Sequence, residues 1–166
     1  MVLDTNMYIF NYEYSRGIYN QYNLGEINKK KTASLIFNYL EDKQIPIVVP
    51  KIILDEIKKK MIELGYTYNK ELIFGKLNII EDKDETFEIE NRPLAQKLFY
   101  ESSTDLMIYI YCKTKEIQVI ITDNTKDFID SEKIYNKDIN ESKINITIAG
   151  IADTYKAISE KEVKTW

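Results

Sequence analysis

The sequence contains no histidine, the side chain that most often moves protons in enzymes at neutral pH. Its absence excludes serine and cysteine triads of the usual kind, and also histidine-based zinc sites. The single cysteine, Cys112, lies in the apolar run 106–112, which is typical of a buried helix face and favours a packing role for the thiol. Acid/base chemistry therefore falls to carboxylates, lysine, tyrosine or metal-bound water.

Arginine is also scarce, and the 27 acidic residues outnumber the 23 basic ones. The net charge is −4, the isoelectric point is near 5.1, and arginine occurs only at Arg16 and Arg92. This balance argues against a generally cationic surface, so any contact with nucleic acid has to be local. A basic segment followed by a long apolar stretch is lacking too, and we expect a cytoplasmic protein without a membrane segment. The 166 residues predict one domain over 1–166.

Apolar runs alternate with segments of helical periodicity, which predicts an α/β protein. The predicted strands cover 1–3, 45–49, 77–80, 117–121 and 144–148, and the predicted helices cover 7–14, 30–41, 50–64, 93–100, 106–115 and 150–159. Continuous apolar strands are typical of a sheet covered on both faces. We therefore expect a three-layer α/β/α sandwich around a central parallel sheet of about four to five strands. The charged stretch 66–91 is predicted to be irregular, and we consider it a candidate flap.

Four acidic positions that lie far apart in the chain each follow a predicted strand or lie near the start of a predicted helix. They are Asp4, Glu56, Asp105, and either Asp123 or Asp127. In an open parallel sheet the carboxyl ends of the strands converge on one crevice, so we expect these acids to meet in space. Crowded carboxylates repel one another, and a hard divalent cation relieves the repulsion. The pattern therefore predicts a metal site.

The same segments resemble, in order, the motifs of a known family. They are Val2-Leu3-Asp4-Thr5-Asn6, Ile47-Val48-Val49-Pro50 followed by a helix with Glu56-Ile57, the helix-opening Asp105, and Ile120-Ile121-Thr122-Asp123-Asn124-Thr125-Lys126-Asp127-Phe128. Together they resemble the PIN domain over residues 2–128. The resemblance implies a PIN-like sandwich and a ribonuclease that depends on Mg²⁺ or Mn²⁺, as in VapC-type toxins and RNA-processing enzymes. It implies that Asp4, Glu56 and Asp105 are catalytic acids that bind the metal.

The fourth acid is open between two residues. Many members of the family carry an acid at the position where this chain has Asn124. Members with asparagine there often have an acid just before the phenylalanine, which here is Asp127. We prefer Asp127 and keep Asp123 as the second candidate ligand. By the same resemblance Asn6 and Thr122 support the site through hydrogen bonds, with Asn124 beside them.

The implied chemistry is hydrolysis of RNA. A hard cation on carboxylate oxygens lowers the pKa of a bound water and stabilises charge on the scissile phosphate, whether one ion or two are present. An acidic pocket needs basic flanks to hold a polyanion. The candidate RNA contacts are Arg16, Lys58, Lys59, Lys113 and Lys126. Beyond RNA, we expect an antitoxin or another protein as a possible partner, and a homodimer by analogy alone.

Ordinary structural roles compete with each of these assignments. Asp4 and Asp105 can cap helices, Glu56 can pair with Lys60 one turn later, and Asp127 can be a turn residue. A second hypothesis is a catalytically inactive PIN-like scaffold that binds RNA or protein, with the ending 162–166 either docking a partner or folding back. A phosphatase of the haloacid dehalogenase type ranks low, because it needs an aspartate where this chain has Asn6. A structure-specific DNA nuclease would share the metal chemistry.

Overall fold

The computed structural model describes residues 1–18, 21–139 and 144–163. The strands in this part of the chain are β1 (Val2–Leu3), β2 (Ile47–Pro50), β3 (Ile79–Asp82), β4 (Val119–Ile121) and β5 (Thr147–Ala149). The helices are α1 (Thr5–Ser15), α2 (Leu24–Asp42), α3 (Lys51–Glu63), α4 (Lys70–Phe74), α5 (Thr86–Leu98), α6 (Ser103–Thr114), α7 (Thr125–Asp138) and α8 (Ile151–Val163). A 3-10 helix, Tyr100–Ser102, precedes α6.

Every pair of neighbouring strands in the described residues is parallel. The order is β1-β4-β5 in a three-stranded sheet and β2-β3 in a two-stranded sheet. Beyond the ladders, the amide of Val48 donates to the carbonyl of Met1 at 2.9 Å, which brings β2 alongside β1. The prediction of a mixed α/β protein with parallel strands is confirmed.

The register of β1 and β4 places the start of the site. Leu3 lies opposite Ile121, and the amide of Asp4 donates to the carbonyl of Ile121 at 2.9 Å. Asp4 directly follows β1 and Thr122 directly follows β4. The two residues therefore lie side by side at the carboxyl edge of the sheet. Both residues are buried.

Buried apolar side chains on the strands and helices form the core. Ile47 and Val49 of β2 and Ile120 of β4 are buried, as the apolar runs predicted. On α6 the whole run from Leu106 to Cys112 is buried, and burial raises the pKa of the Cys112 thiol to about 12. A thiol in this state is a poor nucleophile at neutral pH, which agrees with a packing role.

The helices form two groups. Helices α1, α2 and α8 pack together, α5, α6 and α7 pack together, and α3 contacts both α1 and α6. Because α3 starts directly after β2, its first turns lie between the two groups at the carboxyl edge of the strands. No helix of the described residues has the length and apolar character needed to cross a membrane.

Two stretches differ from the sequence-based expectations. The stretch 66–91, expected to be irregular around the predicted strand 77–80, contains that strand as β3 but also α4 and the first turns of α5, and α5 starts well before the predicted 93. Pro93 lies inside α5, and Ala95 is the buried residue of this helix, so its apolar periodicity was too weak to detect.

The other missed element is α7. Its buried residues Phe128, Ser131 and Tyr135 follow helical spacing, but serine at the middle position hides the stripe. The predicted strand 144–148 is β5, shifted to Thr147–Ala149. The side chains of residues 162–166 lie outside the described residues. The expectation that this segment docks a partner or folds back therefore stays a prediction.

Candidate metal centre

Asp4 leaves β1 as a buried carboxylate held by two donors. Its Oδ1 accepts from the amide of Thr5 at 2.8 Å, and its Oδ2 accepts from the hydroxyl of Thr122 at 2.8 Å. Asp4 stands at the N-cap position of α1, so the capping role considered for it is present. A cap needs only one carboxylate oxygen. The bond from Thr122, the residue directly after β4, shows that the second oxygen is positioned as well.

Thr5 also links Asp4 to Glu56. The hydroxyl of Thr5 donates to Oε1 of Glu56 at 3.0 Å, so Thr5 contacts Asp4 with its amide and Glu56 with its side chain. Among the ion pairs of the described residues, none joins Glu56 to Lys60, which was the ordinary alternative for this acid. The bond from Thr5 places the carboxylate of the half-buried Glu56 at the carboxyl edge of the sheet.

Asp105 and Asp127 approach each other from the first turns of α6 and α7. The amide nitrogen Nδ2 of Asn124 lies 2.7 Å from Oδ2 of Asp127 and 3.4 Å from Oδ2 of Asp105. The hydroxyl of Ser102 also donates to Oδ2 of Asp127, at 3.0 Å. Ser102 occupies the N-cap position of α6 without a capping bond and contacts the acid of α7 instead.

One chain of hydrogen bonds thus connects all four acids. Asn124 joins the two halves of this chain. Its backbone amide donates to the hydroxyl of Thr122 at 2.9 Å, and its side-chain amide donates to Asp105 and Asp127. We call Asp4, Glu56, Asp105 and Asp127 the acid cluster. The linking donors are the uncharged groups of Thr5, Thr122 and Asn124, so none of them neutralises the negative charge.

The electrostatics of the acid cluster reflect this uncompensated charge. Burial, followed by the charges of Asp4, Glu56 and Asp127, raises the pKa of Asp105 to about 8. Burial, with the charge of Asp4 second, raises the pKa of Glu56. Burial also raises the pKa of Asp4, against its hydrogen bonds from Thr122 and Thr5. In the metal-free protein Asp105 therefore keeps its proton near neutral pH, and a bound cation would favour its ionised form.

The donor chemistry of the acid cluster fits a hard divalent cation. Carboxylate oxygens are the ligands that Mg²⁺ and Mn²⁺ prefer, and the described residues place four carboxyl groups around one edge of the sheet. Among the described residues, no group of three acidic or cysteine side chains is close enough together to coordinate one metal ion as the side chains now lie. Mg²⁺ characteristically keeps several waters and takes only one or two carboxylates, so a complete protein cage is not required.

The structure separates the two candidates for the fourth acid. Asp127 is hydrogen-bonded to Asn124 and Ser102 inside the acid cluster. Asp123 points to α2, where its Oδ2 lies 3.3 Å from the amine of Lys29. Its charge is still close enough to oppose ionisation of Asp4, behind the larger effect of burial on that pKa. Asp127 is the acid that the structure joins to the other three.

Support from the predicted neighbours is uneven. Thr122 donates a hydrogen bond to Asp4, and Asn124 donates one to Asp127. Asn6 is half-buried on α1, and within the described residues it takes no part in the hydrogen-bond chain. Thr5 and Ser102 were not expected to touch acids. The signal for Thr5 lay in its place directly after Asp4, whereas nothing in the sequence connected Ser102 with α7.

The candidate RNA contacts do not lie together around the acid cluster. Arg16 caps the far end of α1, about 18 Å along the helix from Asp4. Lys113 is buried and donates to the carbonyl of Ile144, so it offers no surface contact. Lys58 lies over the ring of Tyr68. Two candidates remain near the site: Lys126, next to Asp127 and largely exposed, and Lys59, which follows Glu56 on α3 and pairs with Glu63 at 3.9 Å.

No model of a known protein family matches the chain, and neither a curated protein nor a solved structure matches it. The PIN resemblance therefore rests on the four sequence motifs. Inferences about function rest on those motifs and on the geometry of the acid cluster.

Proposed function

We propose that this chain is a metal-dependent endoribonuclease with a PIN-like fold. The observation that carries the proposal is the acid cluster itself. Four acids from separate parts of the chain meet at the carboxyl edge of β1 and β4, joined by uncharged donors. Acids that only cap helices or form surface ion pairs do not need to lie close to one another. Acids that bind a cation for phosphodiester hydrolysis do.

The finer architecture is part of the same proposal. The two sheets act as one parallel sheet in the order β3-β2-β1-β4-β5, and the bond from Val48 to Met1 supports this continuity. The two groups of helices would cover its opposite faces as the outer layers of an α/β/α sandwich. In such a sheet the acid cluster lies where the strand order reverses, a position at which open α/β sheets commonly bind ligands.

Each residue of the site has a distinct task in this proposal. Asp4, Glu56, Asp105 and Asp127 hold Mg²⁺ or Mn²⁺, and the bound cation supplies an activated water and stabilises charge on the phosphate. Thr122 and Thr5 orient the carboxylate of Asp4, and Asn124 sets the spacing of Asp105 and Asp127. No side-chain nucleophile is needed. Attack by water leaves a 5′-phosphate and a 3′-hydroxyl.

The proposal is tested by incubating a mixed set of labelled RNAs and single-stranded DNA with the protein in Mn²⁺, Mg²⁺ or EDTA. The variants are Asp4→Asn and Asp105→Asn. Asp42→Asn is the matched control, because Asp42 is an exposed acid that ends α2 ahead of β2, at the opposite edge of the strands. We expect RNA cleavage that requires metal, survives in the control and disappears in both site variants. Metal-independent cleavage, or no cleavage of any RNA, would contradict the proposal.

A second candidate is a PIN-like scaffold that binds RNA or protein without cleaving it. The observations that favour it are Asn124 between Asp105 and Asp127, and the lack of three converged ligands in the described residues. Binding of RNA that is equal with and without metal, in a protein that cleaves nothing, would support the scaffold. An antitoxin or other partner protein would be sought only after this distinction is made.

A further inference from the structure

A groove opens beside the acid cluster on the side of α3 and α5. Its volume is about 310 Å³. Glu56 forms part of its wall, and so does Thr104, the neighbour of Asp105. The groove therefore reaches one acid of the cluster, Glu56, and ends one residue short of a second, Asp105. Its basic lining residues are Lys59, Lys60 and Arg92.

Most charged side chains of this groove already have an ion-pair partner. Among the cations, Lys59 lies 3.9 Å from Glu63, and Arg92 pairs with Glu88. Asp55, an acid of the lining, is bound by Lys51 at 2.5 Å. Within the described residues, Lys60 is the cation of the lining that has no ion pair.

The position of Lys60 on α3 directs it to the site. It follows Glu56 by four residues, so the two side chains share one face of the helix and line the same groove. Its charge favours ionisation of both Asp4 and Glu56, opposing the larger effect of burial on the pKa of each acid. Lys58, two residues earlier, lines a different pocket beneath Tyr68.

A strand of RNA brings a phosphate charge with every nucleotide, and the acid cluster repels it. A free ammonium group beside the acids offsets this repulsion where the backbone enters. We propose that Lys60 binds a phosphate of the RNA strand next to the scissile bond, with the groove between α3 and α5 as the path of the strand. This assignment rests on the proposed ribonuclease function. It makes Lys60 a substrate-positioning residue.

Binding is measured by fluorescence anisotropy of labelled single-stranded RNA at a series of KCl concentrations. The background is Asp105→Asn with Mg²⁺ present, so that the RNA is not cut. Lys60→Ala should weaken binding about tenfold and reduce the salt dependence by the share of one phosphate contact, roughly 0.7 in the slope of log K against log[KCl]. Lys60→Arg should restore most of the affinity, because the charge returns. Lys43→Ala is the matched control, since Lys43 is an exposed lysine just after α2 at the opposite edge of the strands.

Two further readouts separate this role from a structural one. In protein with all four acids, Lys60→Ala should raise KM about tenfold and change kcat by less than about twofold. The same substitution should leave Mn²⁺ affinity equal or slightly stronger, because it removes a positive charge near the cation site. A disturbed site would instead lose Mn²⁺ affinity and kcat together.

The outcomes for Lys60 and for the proposed function are distinguishable. If the protein with all four acids cleaves RNA but Lys60→Ala behaves as Lys43→Ala in binding and KM, the assignment of Lys60 is wrong and the ribonuclease stands. If no RNA is cleaved with any metal, the proposed function fails, and the assignment that rests on it fails too.

Discussion

The hydroxyl of Thr122 donates to Oδ2 of Asp4 across 2.8 Å, joining two residues that are 118 positions apart in the chain. The bond follows from the register of β1 and β4, which sets Leu3 beside Ile121 and so brings the next residues together. Thr122 also accepts from the amide of Asn124 at 2.9 Å. This one side chain therefore links the Asp4 end of the acid cluster to the end that holds Asp105 and Asp127.

We expect Thr122→Val to weaken metal binding more than it weakens the fold. Valine keeps the shape of the buried side chain but removes the donor to Asp4 and the acceptor for Asn124. Loss of a group that orients metal ligands typically lowers metal affinity or activity by about 10–100-fold. Mn²⁺ titration measures the affinity, and Thr122→Ser, which retains the hydroxyl, is the control. Equal Mn²⁺ affinity in Thr122→Val and the parent would contradict the orienting role.

Without metal, the free energy of unfolding of the protein is expected to fall as the pH rises, because of Asp105. Its pKa is raised to about 8 in the folded chain, by burial first and then by the other acids, so the folded state binds more protons than the unfolded state above the ordinary value of 3.8. Stability should therefore decrease between about pH 4 and 8. Asp105→Asn should remove this loss and raise the free energy of unfolding by several kcal/mol at pH 9 in EDTA.

Urea unfolding at several pH values measures that difference. With Mn²⁺ present, the parent should become more stable than Asp105→Asn. A cation that binds only the folded protein stabilises it by mass action, and the variant lacks one ligand for it. The Asp42→Asn control should show neither effect. A parent whose stability in EDTA does not decline over this pH range would rule out the crowding of charge around Asp105.

Asp127→Asn is expected to abolish more activity than Asp123→Asn. Asp127 contacts Asn124 and Ser102 in the acid cluster, whereas Asp123 lies 3.3 Å from Lys29. If the proposed ribonuclease is active, we expect Asp127→Asn to lower kcat/KM by at least about 100-fold and Asp123→Asn by less than about tenfold. Steady-state cleavage of one labelled RNA provides both values. The reverse order would make Asp123 the fourth acid.

Tyr8→Phe is expected to leave stability unchanged or raise it by up to about 1 kcal/mol. The ring of Tyr8 is fully buried and packs edge-to-face on Phe37 and Phe74, and its hydroxyl has no hydrogen-bond partner in the described structure. Phenylalanine keeps the packing and removes the unsatisfied group. Thermal unfolding measures the change.

Tyr109→Phe is the matched control for Tyr8→Phe. Tyr109 is equally buried, but its hydroxyl donates to Oε2 of Glu132 at 3.1 Å. Its removal should cost about 1 kcal/mol. A larger loss for Tyr8→Phe than for Tyr109→Phe would indicate that the Tyr8 hydroxyl has a partner, such as a buried water.

A buried ion pair between α1 and α2 gives a further stability prediction. Glu13 and Lys30 are almost fully buried, with the Lys30 amine 3.0 Å from Oε1 of Glu13, and Tyr22 and Tyr66 each donate to Oε2 of Glu13 at 2.7 Å. Lys30→Met should cost about 3–5 kcal/mol, because it leaves a buried carboxylate without its cation. The double variant Glu13→Leu with Lys30→Met should recover part of that loss. Additive losses in a double-mutant cycle would show that the two residues are not coupled.

Much of the architecture follows from local patterns in the sequence. The continuous apolar runs predict buried parallel strands because both faces of such strands are covered, and the described strands agree in number and direction. The place of Asp4 directly after β1, and of Thr122 directly after β4, follows from those runs as well. Helix α7 was missed because Ser131 occupies its buried stripe between Phe128 and Tyr135.

Tertiary structure decided the roles of residues that look equivalent in the sequence. Asp123 and Asp127 lie four positions apart, but α7 begins between them and turns Asp127 towards Asn124, while Asp123 meets Lys29 of α2. Lys30 follows Lys29 directly, yet it is buried against Glu13, because successive residues of a helix point in different directions.

The amino-acid sequence alone therefore determined that acids would gather at the carboxyl edge of a parallel sheet, because strand and helix patterns are local and the direction of parallel strands places their ends together. Only the tertiary structure decided which acids share hydrogen bonds and which lysine stays free beside them. Those pairings depend on the packing of α2, α3, α6 and α7 against one another, and contacts between residues distant in the chain leave no local periodicity to detect.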